Sequence, residues 1–332
     1  LNQLNRWSMF AIMLLVVVLS ACNGSGETQE DVNSPNEEEQ QVTNTHAYGE
    51  TVIPADVSRI ASINLEDMLV SLEVPLVLAT AIGSDYYLED QLGDTPISVW
   101  GEELNYEAIL ESNPDLIVAS NVIDENTYDE LTKIAPTILY DREKWRDSII
   151  QMGSELGYED KANAVIETVD NQLEEAQNKI EKAVGTDNEV IFLRTTATDL
   201  RINFPGFEQN GETYAGYAGM LYKDLSLSPA PIVLDLQEQT EPERQVAEVS
   251  QEILPELSSD FIFVASGSAG GTSEDVSRDQ ESFGEIEQSS LWKDLPAVQK
   301  DQVFSVNPKH WISSGPIADQ LKIDDVVEAL TE

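Results

Sequence analysis

The stretch KANAVIETVDNQLEEAQNKIEKAV, residues 161–184, decides how the rest of the chain is read. Val165, Val169, Leu173, Ala176, Ile180 and Val184 follow one another at spacings of 4, 4, 3, 4 and 4, which is a single apolar face of a helix. The opposite face is charged, with Glu175 and Lys179 in the favourable i,i+4 order, and Gly185 follows as a stop. At ~1.5 Å per residue such a helix is over ~30 Å long, enough to cross a domain.

Short β-type runs alternate with helical ones before this rod. Arg59–Ser62, Leu76–Ala79, Asp115–Ala119 and Thr137–Leu139 read as strands. Leu65–Leu72, Tyr106–Glu111 and Glu125–Ala135 read as the helices between them. The style returns after the rod, with strands at Val190–Leu193, Phe261–Ala265 and Gln302–Val306 and a closing helix at Ala318–Leu330. The expected fold is therefore α/β, two α/β lobes with mostly parallel sheets joined by one long rigid helix. The expected boundaries are 51–150 for the first lobe, 151–185 for the bridging helix and 186–332 for the second lobe.

The two lobes echo one another. Glu107-Ala-Ile-Leu leads to Asp115-Leu-Ile-Val-Ala-Ser, and Glu252-Ile-Leu-Pro leads to Asp260-Phe-Ile-Phe-Val-Ala-Ser, with eight residues from Glu to Asp in both. Each copy is a short helix, a turn and a strand ending in Ala-Ser, so Glu107 and Glu252 occupy corresponding places.

The N-terminus reads as an export signal, residues 1–21: Arg6 supplies a thin positive charge, and Met9–Leu19 an apolar run short for a membrane span. The run ends in Leu19-Ser-Ala-Cys22, similar to the lipobox of bacterial lipoproteins, which makes Cys22 the expected lipid attachment point. Residues 22–50 are acidic and poor in aliphatics, so a flexible tether is expected there, with His46 inside it and outside any chemistry. The expected location is the outer face of the cell membrane, of the Gram-positive type.

Composition excludes several classes. Of the 332 residues, 62 are Asp or Glu and 18 Lys or Arg, giving a formal charge of −44. That surface repels phosphate backbones, so no nucleic-acid partner is expected. One Cys makes no intramolecular disulfide, and two His build no His-rich zinc or copper site. Ser266-Gly-Ser-Ala-Gly-Gly271 lacks the first Gly of a nucleophile elbow, and neither a phosphate loop nor a dinucleotide fingerprint is present. The chain is expected not to be an enzyme, and to hold neither cofactor nor protein-bound metal.

What remains suits a ligand cleft between lobes. Arg194 and Arg201 flank Thr195–Leu200 just after a strand, and a guanidinium offers a planar fork of donors for carboxylate or hydroxamate oxygens. In so acidic a chain either Arg serves equally well as a surface ion-pair partner. Trp100 and Trp311 lie beside Gly or Ser-Ser-Gly loops, where an indole packs on a ligand or fills the core.

Several motifs in series resemble the substrate-binding lipoproteins of bacterial ABC importers for ferric siderophores, a group that includes vitamin B12-binding proteins. They are Asn105-Tyr-Glu-Ala-Ile109 leading to Asn113-Pro-Asp-Leu-Ile117, then Ile134-Ala-Pro-Thr137, then Tyr214-Ala-Gly216 to Leu225-Ser-Leu227. Leu291–Val298 and Trp311–Ala318 complete the series. Asn113 replaces the usual Lys, and Ser226 the usual Gly. The resemblance implies the helix-bridged (class III) periplasmic-binding-protein fold, working as a monomer. It implies that Glu107 and Glu252, one per lobe, dock on a dimeric ABC permease. It implies that Arg194 and Arg201 contact siderophore oxygens, joined by Arg142 and Trp311, with first-lobe loops after Ser62 and near Tyr86, Trp100 and Asn121 completing the cleft. The implied ligand is an intact Fe(III)–siderophore complex, a hydroxamate or citrate-hydroxamate in preference to a trianionic catecholate. Within the same fold the alternative cargo is haem or a corrinoid, with His310 or Tyr217 available as axial ligand to a haem.

Overall fold

The computed structural model describes residues 41–83, 86–100, 103–185, 187–270 and 272–331. The export signal, Cys22 and the tether up to residue 40 lie outside the described residues. The tether was expected to run to residue 50, but the chain is already folded from Thr43. A hairpin of β1 (Thr43–His46) and β2 (Gly49–Val52) packs against the body. Asn44 is fully buried there, donating to Glu155 at 2.8 Å and accepting from the Leu139 amide at 3.2 Å.

The first lobe is built from β3 (Ile60–Ile63), α1 (Glu66–Ser71), β4 (Leu76–Ile82), α2 (Glu89–Leu92) and β5 (Ile97–Trp100). It continues with α3 (Tyr106–Glu111), β6 (Leu116–Ser120), α4 (Glu125–Thr132) and β7 (Thr137–Tyr140). Its five strands lie in the order β5-β4-β3-β6-β7, all parallel. Central β6 is buried along its whole length, with Leu116 and Val118 on one face and Ile117 and Ala119 on the other. This two-sided burial explains why it reads as an unbroken aliphatic run.

Two helices follow, α5 (Trp145–Leu156) and then the 26-residue rod α6 (Glu159–Val184), which joins the lobes. The bridge therefore begins at Glu159, not at residue 151: Gly157, in the left-handed conformation at φ 79°, ends α5 and separates the two. Val169, Ala176 and Ile180 are buried along the rod as its spacing requires.

The second lobe contains β8 (Glu189–Thr195), β9 (Leu200–Asn203), the hairpin β10 (Phe207–Gln209) and β11 (Glu212–Tyr214), and a π-helical turn at Met220–Asp224. It goes on through β12 (Ser228–Pro229), α7 (Pro231–Glu238), β13 (Val246–Val249), a 3-10 turn at Gln251–Glu256, β14 (Phe261–Ser266) and α8 (Ser273–Gln288). The chain closes with α9 (Ser290–Lys293), α10 (Pro296–Gln299), β15 (Val303–Val306), α11 (Pro308–Trp311) and α12 (Pro316–Thr331). The sheet order is β13-β9-β8-β14-β15, with β12 also on β8; β9 pairs antiparallel with both β8 and β13, and the other pairs are parallel. Phe192 and Phe263 share one core with α6, α12 and the inner face of the first sheet, so an apolar layer runs through both lobes.

The echo between the lobes is structural. Asp115 accepts from the Ser58 and Arg59 amides at 3.0 Å, just before β3. Asp260 accepts from the Glu189 amide at 3.1 Å, at the start of β8. In each lobe this carboxylate ties the start of one strand to its parallel neighbour, β3 to β6 and β8 to β14. Glu107 and Glu252, eight residues upstream in each case, are both exposed.

Candidate functional site

The two sheets turn the carboxyl ends of their parallel strands toward a shared cavity, which is where α/β sheets place ligands. Asn64 and Glu66 follow β3, Arg142 follows β7, Arg194 ends β8, Ser268–Gly270 follow β14 and Lys309 follows β15. These residues line a cavity of about 210 Å³ together with Asp67, Thr80, Tyr86, Tyr87, Tyr217 and Ser313.

The first-lobe wall is set by the turn out of β3. Asn64 takes the left-handed conformation (φ 60°), which Asn tolerates better than most residues, and this starts α1. Its amide donates to Glu66 Oε1 at 3.2 Å and Thr80 Oγ1 at 2.9 Å, and its side-chain oxygen accepts from Arg142 Nη1 at 3.0 Å. Arg142 Nη2 reaches Glu143 at 2.9 Å, while its Nε has no partner among the described residues. Glu66 and Asp67 are both buried, and burial raises the pKa of each. Burial pushes Asp67 up to about 6, against the downward pull of the Tyr87 hydroxyl and the Ile317 and Ala318 amides. Those three donors lie at 2.7, 2.8 and 2.9 Å, so Asp67 caps the N-terminus of α12 from the opposite lobe. Gly315 makes that approach feasible, since a Cβ there would lie 2.3 Å from Asp67 Cγ.

The second-lobe wall is cationic. Arg194 is 8% exposed, its Nε has no partner, and it forms no ion pair among the described residues. Burial lowers its pKa, and the nearby Tyr217 pulls it back up. Its guanidinium stands 5.8 Å from the Tyr217 ring centre, at cation–π distance. Lys309 is buried, with Nζ 3.2 Å from the Ala269 carbonyl. Glu143 and Ser314 join the lobes at 2.8 Å, as do Tyr214 and Asp141 at 3.0 Å, Trp145 and Asp319 at 2.8 Å, and Lys144 with Glu212.

A sequence model for periplasmic binding proteins matches residues 85–309. The chain belongs to this family. Among its curated relatives is the iron(3+)-hydroxamate-binding protein YxeB of Bacillus subtilis, 27% identical over 96% of this chain and 94% of the relative. Another is the probable siderophore-binding lipoprotein YfiY of the same organism, 26% identical over 96% and 95%. Among solved structures it is similar to Staphylococcus aureus SirA complexed with staphyloferrin B, at 29% identity and a TM-score of 0.70, covering 87% of this chain and 98% of SirA.

Within this family member the cavity gathers Arg142, Arg194 and Tyr217, singled out from sequence, and Tyr86 from an expected cleft loop. Four others lie elsewhere. Arg201 is outside the cavity lining and is held by Asp199 at 2.9 Å, with Glu248 at 3.8 Å, which is the surface ion-pair role that the acidic composition allowed. Trp311 is fully buried, stacked on Phe263 and tilted against Phe192, with its indole N–H on Asp325 at 2.7 Å; it fills the core. Trp100, at the end of edge strand β5, packs on the outer first-lobe core and is not among the lining residues. His310 is bound to Asp325 at 2.7 Å and does not line the cavity.

Sequence reasoning placed the loop after Ser62 in the cleft without naming its Asn64, Glu66 and Asp67, and it missed Lys309. The signal that finds them is positional: each lies within a few residues of the carboxyl end of a parallel strand. The Gly-rich Ser268–Gly270, weighed only as a failed nucleophile elbow, is a cavity loop on the same rule.

Proposed function

We propose that this chain captures a ferric siderophore from outside the cell and delivers it to the permease of an ABC importer. The observation that carries the reading is Arg194, a buried guanidinium without a carboxylate partner among the described residues, on the wall of a cavity between two lobes. A buried unpaired charge is costly, and anionic ligand oxygens offset that cost. The hydroxamate and staphyloferrin B ligands named for the relatives supply such oxygens. At about 210 Å³ the cavity is smaller than the ~300–1,000 Å³ of sites that engulf a ligand. One face of the chelate therefore enters, and the iron stays in the siderophore's own coordination shell. Hydroxamate-type complexes remain the favoured cargo. Of the two axial ligands that the haem alternative offers, His310 is committed to Asp325 outside the cavity, which leaves Tyr217 on the cavity wall.

Glu107 and Glu252 support the docking role by their exposure and their corresponding places in two like lobes, which suits a two-fold partner. In this reading Cys22 carries the lipid that holds the protein at the outer face of the membrane, the protein acts as a monomer, and it catalyses no reaction.

Titration of the protein with a panel of ferric siderophores, followed by tryptophan fluorescence, is expected to give sub-micromolar binding for at least one. Arg194→Gln is expected to weaken that binding roughly 10- to 100-fold, the worth of a charge-assisted hydrogen bond. No response to the whole panel, or an unchanged affinity in the variant, would refute the reading.

A further inference from the structure

Glu66 and Asp67 are adjacent, buried and on the same wall, yet their hydrogen-bonding states differ. Both Asp67 oxygens are occupied at 2.7–2.9 Å. Glu66 Oε1 carries three donors, the Thr80 amide and hydroxyl at 2.8 Å and the Asn64 amide at 3.2 Å. Among the described residues Glu66 Oε2 has the Tyr86 hydroxyl at 3.5 Å, the outer limit of a hydrogen bond, with the Ser62 hydroxyl close enough to the carboxyl to act on it. An ionised carboxylate accepts about four hydrogen bonds, so the free capacity of Glu66 is concentrated on one oxygen.

No cation pairs with Glu66 among the described residues. Arg142 is turned to Asn64 and Glu143, and Lys309 Nζ meets the Ala269 carbonyl. Arg194 lines the same cavity from the other lobe, more than nine-tenths buried, with Nε unpartnered, and it too makes no ion pair. The two lobes thus present a carboxyl group and a guanidinium to one cavity, with no ion pair between them among the described residues. A ligand that is acceptor-rich at one end and carries a cationic donor at the other satisfies both at once.

We propose that Glu66 is a specificity-determining residue that receives a primary ammonium group of the ligand, so that the chain selects ferric chelates with a terminal amine. The inference rests on the siderophore-binding reading and adds to it the class of chelate. Burial raises the pKa of Glu66, and an ammonium group at Oε2 opposes that shift by favouring the ionised form. Tyr86, whose own pKa is raised well above 10 by burial and by Glu66, stays a neutral donor beside the pair.

The test compares ferrioxamine B, which ends in a primary amine, with its N-acetyl derivative, which has the same iron centre and no charge at that end. Fluorescence titration of the full chain is expected to favour the amine form roughly tenfold or more, as a charge-assisted contact in a buried site requires. Glu66→Gln, which keeps an oxygen for Thr80, is expected to remove that preference, bringing the ratio of the two affinities to about one. Equal binding of the two forms by the wild-type chain overturns this inference and leaves the siderophore reading standing. A variant that weakens both forms alike overturns it as well, by making Glu66 a structural group. Binding of neither form also overturns it, whereas the underlying reading falls with the whole siderophore panel or with an unchanged affinity in Arg194→Gln. The wild-type comparison decides the matter even where the variant does not fold.

Discussion

Asp67 is expected to make the folded protein less stable as pH rises from about 4 to about 6, the reverse of the usual behaviour of a hydrogen-bonded carboxylate. Its pKa is raised from 3.8 to about 6 by burial. Between those values the folded state holds a proton that the unfolded chain has released, so stability falls as pH increases through the window and is level above it. At about 1.4 kcal/mol per pH unit, the span from 3.8 to about 6 amounts to about 3 kcal/mol. The chain carries 62 carboxylic residues, so its total pH dependence says nothing about one of them. The difference between wild type and Asp67→Asn isolates the group, because Asn does not titrate and the other carboxylates cancel. Asn also disturbs the contacts with Tyr87, Ile317 and Ala318, which lowers stability by about 1–3 kcal/mol at every pH. Urea unfolding of both proteins at about pH 4 and about pH 7, at one ionic strength, is expected to show the stability of the variant relative to wild type improving by about 3 kcal/mol toward neutral pH. A difference constant to about 0.5 kcal/mol refutes the burial argument. A difference that moves the other way means that the α12 amides outweigh burial.

Three further outcomes are expected. Gly315→Ala puts a Cβ 2.3 Å from Asp67 Cγ at a position with φ 154°, and chemical denaturation should show a loss of about 2 kcal/mol or more; a loss under about 0.5 kcal/mol would show that the two lobes separate freely at this point. Trp311→Ala empties a fully buried site between Phe192 and Phe263 and should cost about 3–5 kcal/mol, and a mild effect on stability with a large effect on ligand affinity would return Trp311 to the cleft. The thermal midpoint should climb steeply with added salt from low ionic strength, since screening that shortens from about 30 Å to about 8 Å relieves the repulsion of a −44 chain; a flat response would mean that the surface charge carries no net penalty.

The parts of the fold legible in the sequence are those where one local pattern had a single reading. The rod was legible because Val169, Ala176 and Ile180 have to share a face, and β6 and β14 because strands buried on both sides are continuous apolar runs. Its start was less legible: Gly157, between Leu156 and Tyr158, is a helix stop whose meaning depends on seeing that α5 ends there. β9 and β13 escaped because four-residue antiparallel strands carrying Arg201 and Glu248 have too few positions to show a period. In the site, Arg194 stood out as a rare cation after a strand. Glu66 and Asp67 did not, since nothing local separates two buried carboxylates from sixty others; their burial comes from Tyr86, Tyr87 and α12, which are distant in sequence. Trp311 looked like a cleft residue because Ser-Ser-Gly follows it. The short helix α11, opened by Asn307 and Pro308, instead places its ring against Phe192 and Phe263.

The apolar stripe of α6 is completed at a late moment in the life of the chain. Its partner in the shared core is α12, whose Ile323, Val326 and Leu330 emerge only after the whole second-lobe sheet has been made. The first lobe, contiguous in sequence, can set its five parallel strands during synthesis, but the rod must wait with its greasy side bare. Until α12 folds back that side has no cover, so a chain interrupted ahead of Ile323 should be as badly damaged as one interrupted within the second sheet, and the nascent polypeptide exposes an aggregation-prone face in the meantime.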